Sequence, residues 1–175
     1  MIDYGYGIQL DTLDKAVKAR EWRNDKEIYD NCRQVGLISE KDQQNWLANG
    51  DIKHMFAVII DSGCIGVAGI TNIHNTHRCG EISLYIAKEH HSLGIGAKPI
   101  IKTLASYAFE MLNLNRIFGE TYSTNVVELL NLKELGFITE GTLRQTYYKN
   151  GQYIDSVIQS LLRSEYDRLK DGWRC

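Results

Sequence analysis

The chain has 175 residues, of which 43% are hydrophobic and 24% charged, and its formal net charge is -2. We therefore expect a single globular domain over residues 1–175. A net charge this close to zero gives no general attraction for nucleic acid or a membrane surface, so neither is expected as a partner. No apolar run approaches the roughly 20 residues of a membrane span, and Met1–Gly5 does not read as a signal peptide. We expect a cytoplasmic protein.

The chain has four cysteines, which are far apart in the sequence: Cys32, Cys64, Cys79 and Cys175. They form no CxxC pair, so free thiols are expected. His74 and His77 lie near Cys79, but zinc sites normally show two paired clusters of ligands. A polar turn is the better interpretation of these residues, and no metal is predicted.

The first 50 residues favour one short strand followed by helices. A strand is predicted over residues 6–10, and Asp11 can cap a helix that runs to about Asn24. A second helical stretch covers roughly residues 25–34. Ser39, followed three residues later by Asp42, is typical of a capping box and predicts a third helix to about residue 48.

Strand patterns follow. Met55–Ile60 is a continuous apolar run, and the turn signal at 61–63 separates it from a hairpin partner over Ile65–Ile73. Glu81–Ile86 alternates apolar and polar residues with a period of two, which predicts a fourth strand. Glu81 falls on the face opposite the apolar residues of that strand.

The rest of the chain alternates between helical and strand patterns. In chain order we predict a helix over Gly94–Leu112, a strand over Arg116–Tyr122, a helix that Asn125 caps and that ends at Gly136, strands over 137–148 and 153–162, and a short helix in the polar tail 163–175. The Asn150-Gly151 pair between the last two strands is a strong hairpin signal. This order predicts an α+β (mixed α/β) domain with helices packed on a sheet.

The most informative segment is the glycine-containing turn His91–Ala97, which lies between a strand pattern and a helix pattern. Glycine lets a backbone approach a ligand closely, and the free amides at a helix start attract phosphate. A Walker A loop is absent, and a dinucleotide fingerprint would need a third glycine where Pro99 stands. On spacing alone, a phosphate site and a tight strand–helix connection both stay open.

This turn resembles the acetyl-coenzyme A pyrophosphate loop of the GNAT superfamily of N-acetyltransferases, Q/R-x-x-G-x-G/A. His91 stands in the Gln/Arg place, and Gly94 and Gly96 match. Asn125, eleven residues before Gly136, is similar to the N-x(10)-G-F signature of the same family.

Two further segments resemble particular branches of the superfamily. Glu140–Arg144 together with Gly151–Asp155 is similar to the branch that holds ribosomal-protein and polyamine N-acetyltransferases. Trp22-Arg23-Asn24 resembles acetyltransferases that act on nucleotide-linked amino sugars.

The resemblance implies a GNAT-like fold: a mostly antiparallel, seven-stranded central sheet whose fourth and fifth strands splay apart, with helices on both faces. It implies acetyl-CoA as co-substrate and no metal. The pyrophosphate would lie on the turn, the pantetheine arm along the fourth strand and beside an asparagine, and the 3′-phosphate near a lysine. The residues so implied are His91, Ser92, Leu93, Gly94, Ile95, Gly96 and Ala97; Leu84, Tyr85, Ile86 and Asn125; and Lys133 or Lys98.

The same resemblance implies a general base and an acid. Glu120 on the fifth strand and Glu81 on the fourth strand are the candidate bases, with Glu120 favoured. Relatives often carry a tyrosine seven residues after the asparagine to protonate the thiolate, but Leu132 stands there. Tyr122, Tyr147 or Tyr148 could take that role, although strand tyrosines are more often packing residues. Water could also protonate the thiolate.

The acceptor site is expected between the N-terminal helices and the last hairpin, with Arg20, Trp22, Arg23 and Tyr147 as candidate contacts. Arginines beside an aromatic ring suit a phosphate and a stacked base, although Trp22 could instead be part of an amphipathic helix. A small-molecule amine, a nucleotide-linked amino sugar and a protein N-terminus all stay open as acceptors.

Other interpretations also stay open at this point. A non-catalytic coenzyme A-binding or sensing module on the same fold would agree with Leu132. A domain that binds another phosphorylated ligand at the glycine turn would explain that turn without the resemblance. An exposed final strand would allow two copies to pair as a homodimer.

Overall fold

The structure is a computed structural model that describes residues 1–61, 63–93 and 96–173, and only the backbone of residues 92 and 93. The predicted contacts of Gly94 and Ile95, and the predicted free thiol of Cys175, therefore lie outside the described residues. So do any predicted contacts of the Ser92 and Leu93 side chains.

The described residues form one sheet with the strand order β1-β2-β3-β4-β5-β6-β8-β7. In chain order the strands are β1 (Ile2–Asp3), β2 (Gln9–Asp11), β3 (Met55–Ile60), β4 (Gly63–His74), β5 (Cys79–Ile86), β6 (Arg116–Tyr122), β7 (Ile138–Lys149) and β8 (Gln152–Leu162). All neighbouring strands are antiparallel except β5 and β6. The sheet confirms the mixed, mostly antiparallel fold.

The described sheet has eight strands rather than the expected seven. The difference arises at the N-terminus, where Gly5 and Gly7 have φ of 78° and 80°. These left-handed conformations, which glycine adopts without strain, turn the chain back so that Ile2–Asp3 pairs with Gln9–Leu10.

The helices are α1 (Ala19–Asn24), α2 (Lys26–Asn31), α3 (Glu40–Asn49), α4 (Lys98–Ser106), α5 (Val126–Glu134) and α6 (Arg163–Trp173). Short 3₁₀ helices cover Leu13–Lys15 and Lys88–Leu93, and α4 continues as a π-helical turn over Tyr107–Met111. The structure includes no helix long and apolar enough to cross a bilayer among the residues it describes.

Local capping signals have mixed outcomes. Ser39 and Asp42 form the predicted capping box of α3. The long helix predicted from Asp11 is wrong: Asp11 is the last residue of β2, and its carboxylate accepts a hydrogen bond from the Thr12 amide at 2.8 Å. The carboxylate also pairs with Lys15 four residues on. The segment is then divided between a 3₁₀ turn and α1.

Two apolar clusters lie on opposite faces of the sheet. Val58, Ala68 and Ile70 pack with α4 and α6 on one face, and Ala57 and Val67 pack with α1 and α2 on the other. The alternation of inward and outward residues along β3 and β4 is that of strands covered on both sides. Helices thus lie on both faces, as expected.

The last hairpin corrects one expectation. Asn150 and Gly151 have φ of 51° and 80° at its turn, as the Asn-Gly signal predicts. The final strand β8, however, lies between β6 and β7. It is not an exposed edge, so the possibility left open above, that two copies pair through an exposed final strand, does not apply to β8.

The packing of the end of α5 against α6 can be tested at Gly136. It has φ of +90°, and a Cβ there would lie 2.5 Å from Leu169 Cδ1 of α6. We expect Gly136→Ala to lower the free energy of unfolding in urea by about 2 kcal/mol or more. Gly151→Ala is the control: its φ is +80°, but none of the described residues beyond its chain neighbours has an atom within 4 Å of where its Cβ would be. Its free energy of unfolding should therefore fall by only about 1 kcal/mol. Equal losses would contradict the contact with α6.

Candidate active site

A cleft of about 760 Å³ opens where β5 and β6 separate. The two strands pair with each other only over Cys79–Glu81 and Arg116–Phe118. Beyond these residues β5 runs on to Ile86 and β6 to Tyr122, but they no longer pair with one another. The walls come from both strands, from α2 with the loop after it, from the 3₁₀ helix at 88–93 and from the first turns of α5. β5 and β6 correspond to the fourth and fifth strands of the sequence prediction, and they splay apart as the resemblance implied.

The unpaired part of β5 forms one wall of the cleft. Leu84, Tyr85 and Ile86 all line it, while their other edge pairs with Gly66–Ala68 of β4. A Cβ at Gly66 would lie 2.2 Å from the Tyr85 carbonyl oxygen, so only glycine permits this close approach. The sequence therefore leaves a strand edge with main-chain groups available for an extended ligand.

The glycine turn reaches the same cleft. His91, Gly96 and Ala97 line it. Gly96 has φ of +64°, and no atom of the other described residues, its chain neighbours aside, lies within 4 Å of where its Cβ would be. Ala97 provides no side-chain cap for α4, so the first amides of that helix are left for a ligand. Pro99 lies in the first turn of α4, where its missing N–H is tolerated.

His91 is held in place by two neighbours. Its Nε2 donates to the Ile86 carbonyl at 3.0 Å, and its Nδ1 lies 3.2 Å from Oε1 of Glu27 on α2. The imidazole therefore links the turn to β5 and α2.

At the start of α5, Asn125 has the predicted cap role and also lines the cleft. Its Oδ1 accepts from the Glu128 amide at 3.3 Å. Neither candidate lysine for the 3′-phosphate is among the lining residues. Lys133 is exposed on α5, and Lys98 forms an ion pair with Glu134.

The two candidate bases lie on either side of one arginine. Arg33, in the loop after α2, contacts Glu81 through Nη2 and lies 3.2 Å from Glu120 through Nη1. The Glu81 side chain is 2% exposed and also accepts from Asn72 at 2.7 Å. Glu120 is 13% exposed and lines the cleft, whereas Glu81 lies behind it.

The Glu120 carboxylate has more hydrogen-bond partners than that of Glu81. Oε1 accepts from Tyr147 Oη at 3.0 Å and from Ser156 Oγ at 2.6 Å. Both donors come from the last hairpin, so β7, β8 and the Arg33 loop fix this carboxylate together. It is oriented by charge-assisted hydrogen bonds while it still faces the cleft.

A family model described as an acetyltransferase (GNAT) domain matches residues 11–158. The chain belongs to the GNAT acetyltransferase family.

Individual proteins similar in sequence to this chain are also N-acetyltransferases by name. Spermidine N(1)-acetyltransferase of Vibrio cholerae is 32% identical over 102 residues, which is 58% of each chain. YdaF of Bacillus subtilis, provisionally named a ribosomal N-acetyltransferase, is 34% identical over 118 residues, 65% of this chain and 61% of YdaF. The chain thus matches about three fifths of the length of these relatives.

A solved structure shares the fold. The crystal structure of a spermidine N-acetyltransferase from Vibrio cholerae, in complex with CoA and spermine, superposes with a TM-score of 0.83 at 24% identity. The superposition covers 91% of this chain and 98% of that one.

Two tyrosines lie near the acidic residues of this GNAT domain. Tyr122 lines the cleft, but its hydroxyl donates to the Cys32 carbonyl at 3.1 Å. Tyr147 is hydrogen-bonded to Glu120 rather than lining the cleft. Burial is the main cause that raises the pKa of each phenol. Tyr148, in contrast, is exposed and packs beside Tyr153.

The predicted acceptor residues separate into different environments. Trp22 is 7% exposed, packs in the cluster under α1 and donates from Nε1 to Glu89 at 2.8 Å. Its indole is therefore not presented to the cleft for stacking, and Arg20 is not among the lining residues. Arg23 does line the cleft, where Nε donates to Gln34 at 2.9 Å.

Sequence patterns did not indicate three cleft residues: Arg33, Glu128 and Asn131. Arg33 lies in an irregular loop, so only the tertiary fold brings it to β5 and β6. Glu128 and Asn131 could have been found from helical spacing, since they lie three and six residues after Asn125 on the same helix. Burial raises the pKa of Glu128, partly offset by its hydrogen bond with Asn131.

The contacts of Arg33 with Glu81 and Glu120 can be tested by measuring the free energy of unfolding. Arg33→Met keeps an apolar side chain but leaves the buried Glu81 without its cationic partner. We expect the free energy of unfolding to fall by about 1–3 kcal/mol. This is less than for a fully buried ion pair, because the Arg33 side chain is 39% exposed. Arg116→Met removes a more exposed pair with Glu140 and should cost less than about 1 kcal/mol. Urea denaturation measures both, and a smaller loss for Arg33→Met would contradict the assignment.

Proposed function

We propose that the chain transfers an acetyl group from acetyl-CoA to a primary amine, directly and in a ternary complex. The observation that carries this proposal is the cleft between β5 and β6, which joins an unpaired strand edge to the uncapped start of α4. An extended acyl carrier with a diphosphate matches both ends. Family membership supports the same reaction, and the V. cholerae neighbour was solved with CoA and spermine.

Each wall of the cleft has a task in this reaction. The diphosphate lies against the glycine turn, where free amides and the helix dipole favour negative charge. The arm follows Leu84–Ile86, and an amide of this edge donates to the thioester carbonyl. One such donor contributes roughly 2.7–4 kcal/mol to the transition state. Holding the amine and thioester together supplies much of the remaining rate.

Glu120 is the general base in this proposal. It is the candidate carboxylate that lines the cleft, while Glu81 is buried behind it. Tyr147, Ser156 and Arg33 hold the Glu120 carboxylate in one orientation. It takes the proton of the ammonium acceptor, directly or through water, and frees the lone pair that attacks the thioester carbon.

The charges near Glu120 favour an acceptor with one amine, such as a protein N-terminus or an amino sugar. Arg33 contacts both Glu81 and Glu120 and offsets one of their two negative charges. Arg23 adds a second guanidinium to the cleft wall. A second ammonium group of a polyamine that lay beside Arg23 and Arg33 would be repelled by both guanidinium groups.

Catalysis is tested by thiol release from acetyl-CoA with a panel of amines. We expect Glu120→Gln to lower kcat about 10²–10⁴-fold, because the amide cannot take the proton. Glu140→Gln is the control, since Glu140 lies outside the cleft lining and pairs with Arg116; its kcat should stay unchanged. Binding of acetyl-CoA without thiol release on any amine would instead support a non-catalytic CoA-binding module.

The acceptor class is tested by comparing spermidine with an N-terminal dipeptide and a nucleotide-linked amino sugar. We expect kcat/KM for one of the monoamines to exceed that for spermidine by about tenfold or more, equivalent to about 1.4 kcal/mol of repulsion. Arg33→Gln should narrow the difference because it removes one positive charge. A preference for spermidine in the wild-type protein would overturn this part of the proposal.

A further inference from the structure

Arg23 has a positive charge that no acidic side chain of the cleft offsets. It lies in the last turn of α1, is partly buried and lines the cleft. Its Nε donates to Gln34 Oε1 at 2.9 Å. Among the residues that the structure describes, neither Nη atom of Arg23 forms a hydrogen bond, and no carboxylate lies within 4 Å of the guanidinium. A cation that is partly removed from water without an anionic partner is unfavourable.

The acidic residues of the cleft are engaged by other groups. In the described part of the chain, three glutamates line the cleft. Their partners are Lys88 for Glu27, Arg33 for Glu120 and Asn131 for Glu128. The guanidinium of Arg23 is therefore left for an anion that the protein itself does not supply.

The last turn of α1 is fixed on both sides of Arg23. Trp22 is buried, and its Nε1 donates to Glu89 at 2.8 Å. Asn24 donates from Nδ2 to the Ile38 carbonyl at 2.9 Å and accepts from the Ile38 amide at 2.8 Å. The consecutive residues Trp22, Arg23 and Asn24 thus divide their tasks: the outer two hold the helix end, and the middle one projects into the cleft.

Two neighbours orient the guanidinium itself. Its Cζ lies 5.7 Å from the centroid of the Tyr85 ring on β5, a distance within the range of a cation–π contact. Gln34, which binds the Nε side, is held in turn by its donation to the Gly36 carbonyl at 3.2 Å. The two Nη groups are the donors left over. Such a planar fork suits two oxygens of one phosphate or carboxylate group.

The position of Arg23 relative to the proposed base fixes where the anion would be. Arg33 contacts Glu81 of β5 and Glu120 of β6, whereas Arg23 lies over Tyr85 of β5. Glu81 and Tyr85 are four residues apart, so their side chains share one face of the strand and are separated by about 13 Å along it. An anion at Arg23 and an amine at Glu120 would therefore be several bonds apart in one acceptor molecule.

Lys149 adds a second unpaired cation to this wall. It is 8% exposed, and its Nζ donates to the carbonyls of Tyr29 and Cys32, with no carboxylate within 4 Å among the described residues. Burial raises the pKa of the Cys32 thiol, while Arg23 and Lys149 both act to lower it, so both cations lie near that residue. A phosphate carries up to about two negative charges. It therefore gains more from these cations than a carboxylate does.

We propose that Arg23 binds a phosphate group of the acceptor, so that the acceptor is an amino sugar that carries a phosphate, alone or within a linked nucleotide. The proposal rests on the acetyl transfer proposed above and narrows its acceptor. The phosphate oxygens accept from the two Nη groups of Arg23. The amine, at the other end of the sugar, lies at Glu120.

The test compares kcat/KM for matched acceptors at saturating acetyl-CoA. One pair is glucosamine 6-phosphate and glucosamine. The other is a uridine diphosphate-linked sugar with its amine at C4, across the ring from the phosphate, and the same sugar without the nucleotide. We expect the phosphate to raise kcat/KM by about tenfold or more in at least one pair, chiefly through KM. The pair that shows the preference identifies a sugar phosphate or a linked nucleotide as its source.

Variants of Arg23 test whether this side chain is responsible. Arg23→Gln should bring the ratio within the preferred pair close to one. Arg23→Lys should keep part of it, since the charge remains but the planar fork is lost. Lys18→Gln is the control, because Lys18 is exposed at the start of α1 and outside the cleft lining. It removes one positive charge from the same helix and should keep the wild-type ratio.

Several results would overturn this assignment while acetyl transfer itself stands. The first is a wild-type protein that releases thiol but shows no preference within either pair. An equal fall for both members of a pair in Arg23→Gln would mean that Arg23 only supports the wall. A change in KM for acetyl-CoA alone would mean that it binds the acyl carrier.

Two further outcomes concern the identity of the acceptor and the reaction. A larger preference for alanyl-glutamate amide over alanyl-glutamine amide than in either sugar pair would replace the phosphate by a carboxylate and overturn the proposal. A wild-type protein that releases no thiol with any amine would refute the proposed function, and the role of Arg23 as an acceptor site with it. Thiol release by the wild type thus separates the two failures.

Discussion

The separation of β5 and β6 after three paired residues is the constraint on which the rest of the site depends. Buried main-chain amides and carbonyls need partners, and the end of this pairing leaves the edge of β5 from Leu84 to Ile86 open toward a cleft rather than toward β6. The opposite edge stays fully paired with β4, with Gly66 permitting the close contact. A rigid sheet therefore supports a strand edge that an extended ligand can complete.

Two neighbouring carboxylates on the separating strands need a positive charge beside them. Glu81 on β5 and Glu120 on β6 lie close enough to share one guanidinium, and Glu81 is almost fully buried. Two carboxylates near each other would be costly without a cation. Arg33 supplies that charge from the loop after α2. The loop after α2 is thus held by the acidic groups of the strands it covers.

Sequence patterns predicted the parts of this arrangement that are local. Met55–Ile60 and Arg116–Tyr122 have the predicted bounds because their apolar patterns fix strands directly, and Asn125 caps α5 because capping needs only its own first turn. Contacts between distant elements gave no such signal. Trp22 resembled a stacking residue in the sequence, yet its ring fits a buried cluster with a hydrogen bond to Glu89, 67 residues away. Arg33 likewise acquires its role only from tertiary contacts.

Side-chain contacts join α1 and α2 to the 3₁₀ helix at 88–93, which includes His91. Glu27 lies 3.2 Å from His91 and 3.4 Å from Lys88, and Trp22 donates to Glu89. Three side-chain contacts therefore attach this 3₁₀ helix to α1 and α2. His91 also donates to the Ile86 carbonyl, so its side chain links the helix to β5 as well, and in the proposed reaction the diphosphate would be left to backbone amides. In that reaction the same wall would border both the acyl carrier and the amine, so a change in α2 should alter the binding of each.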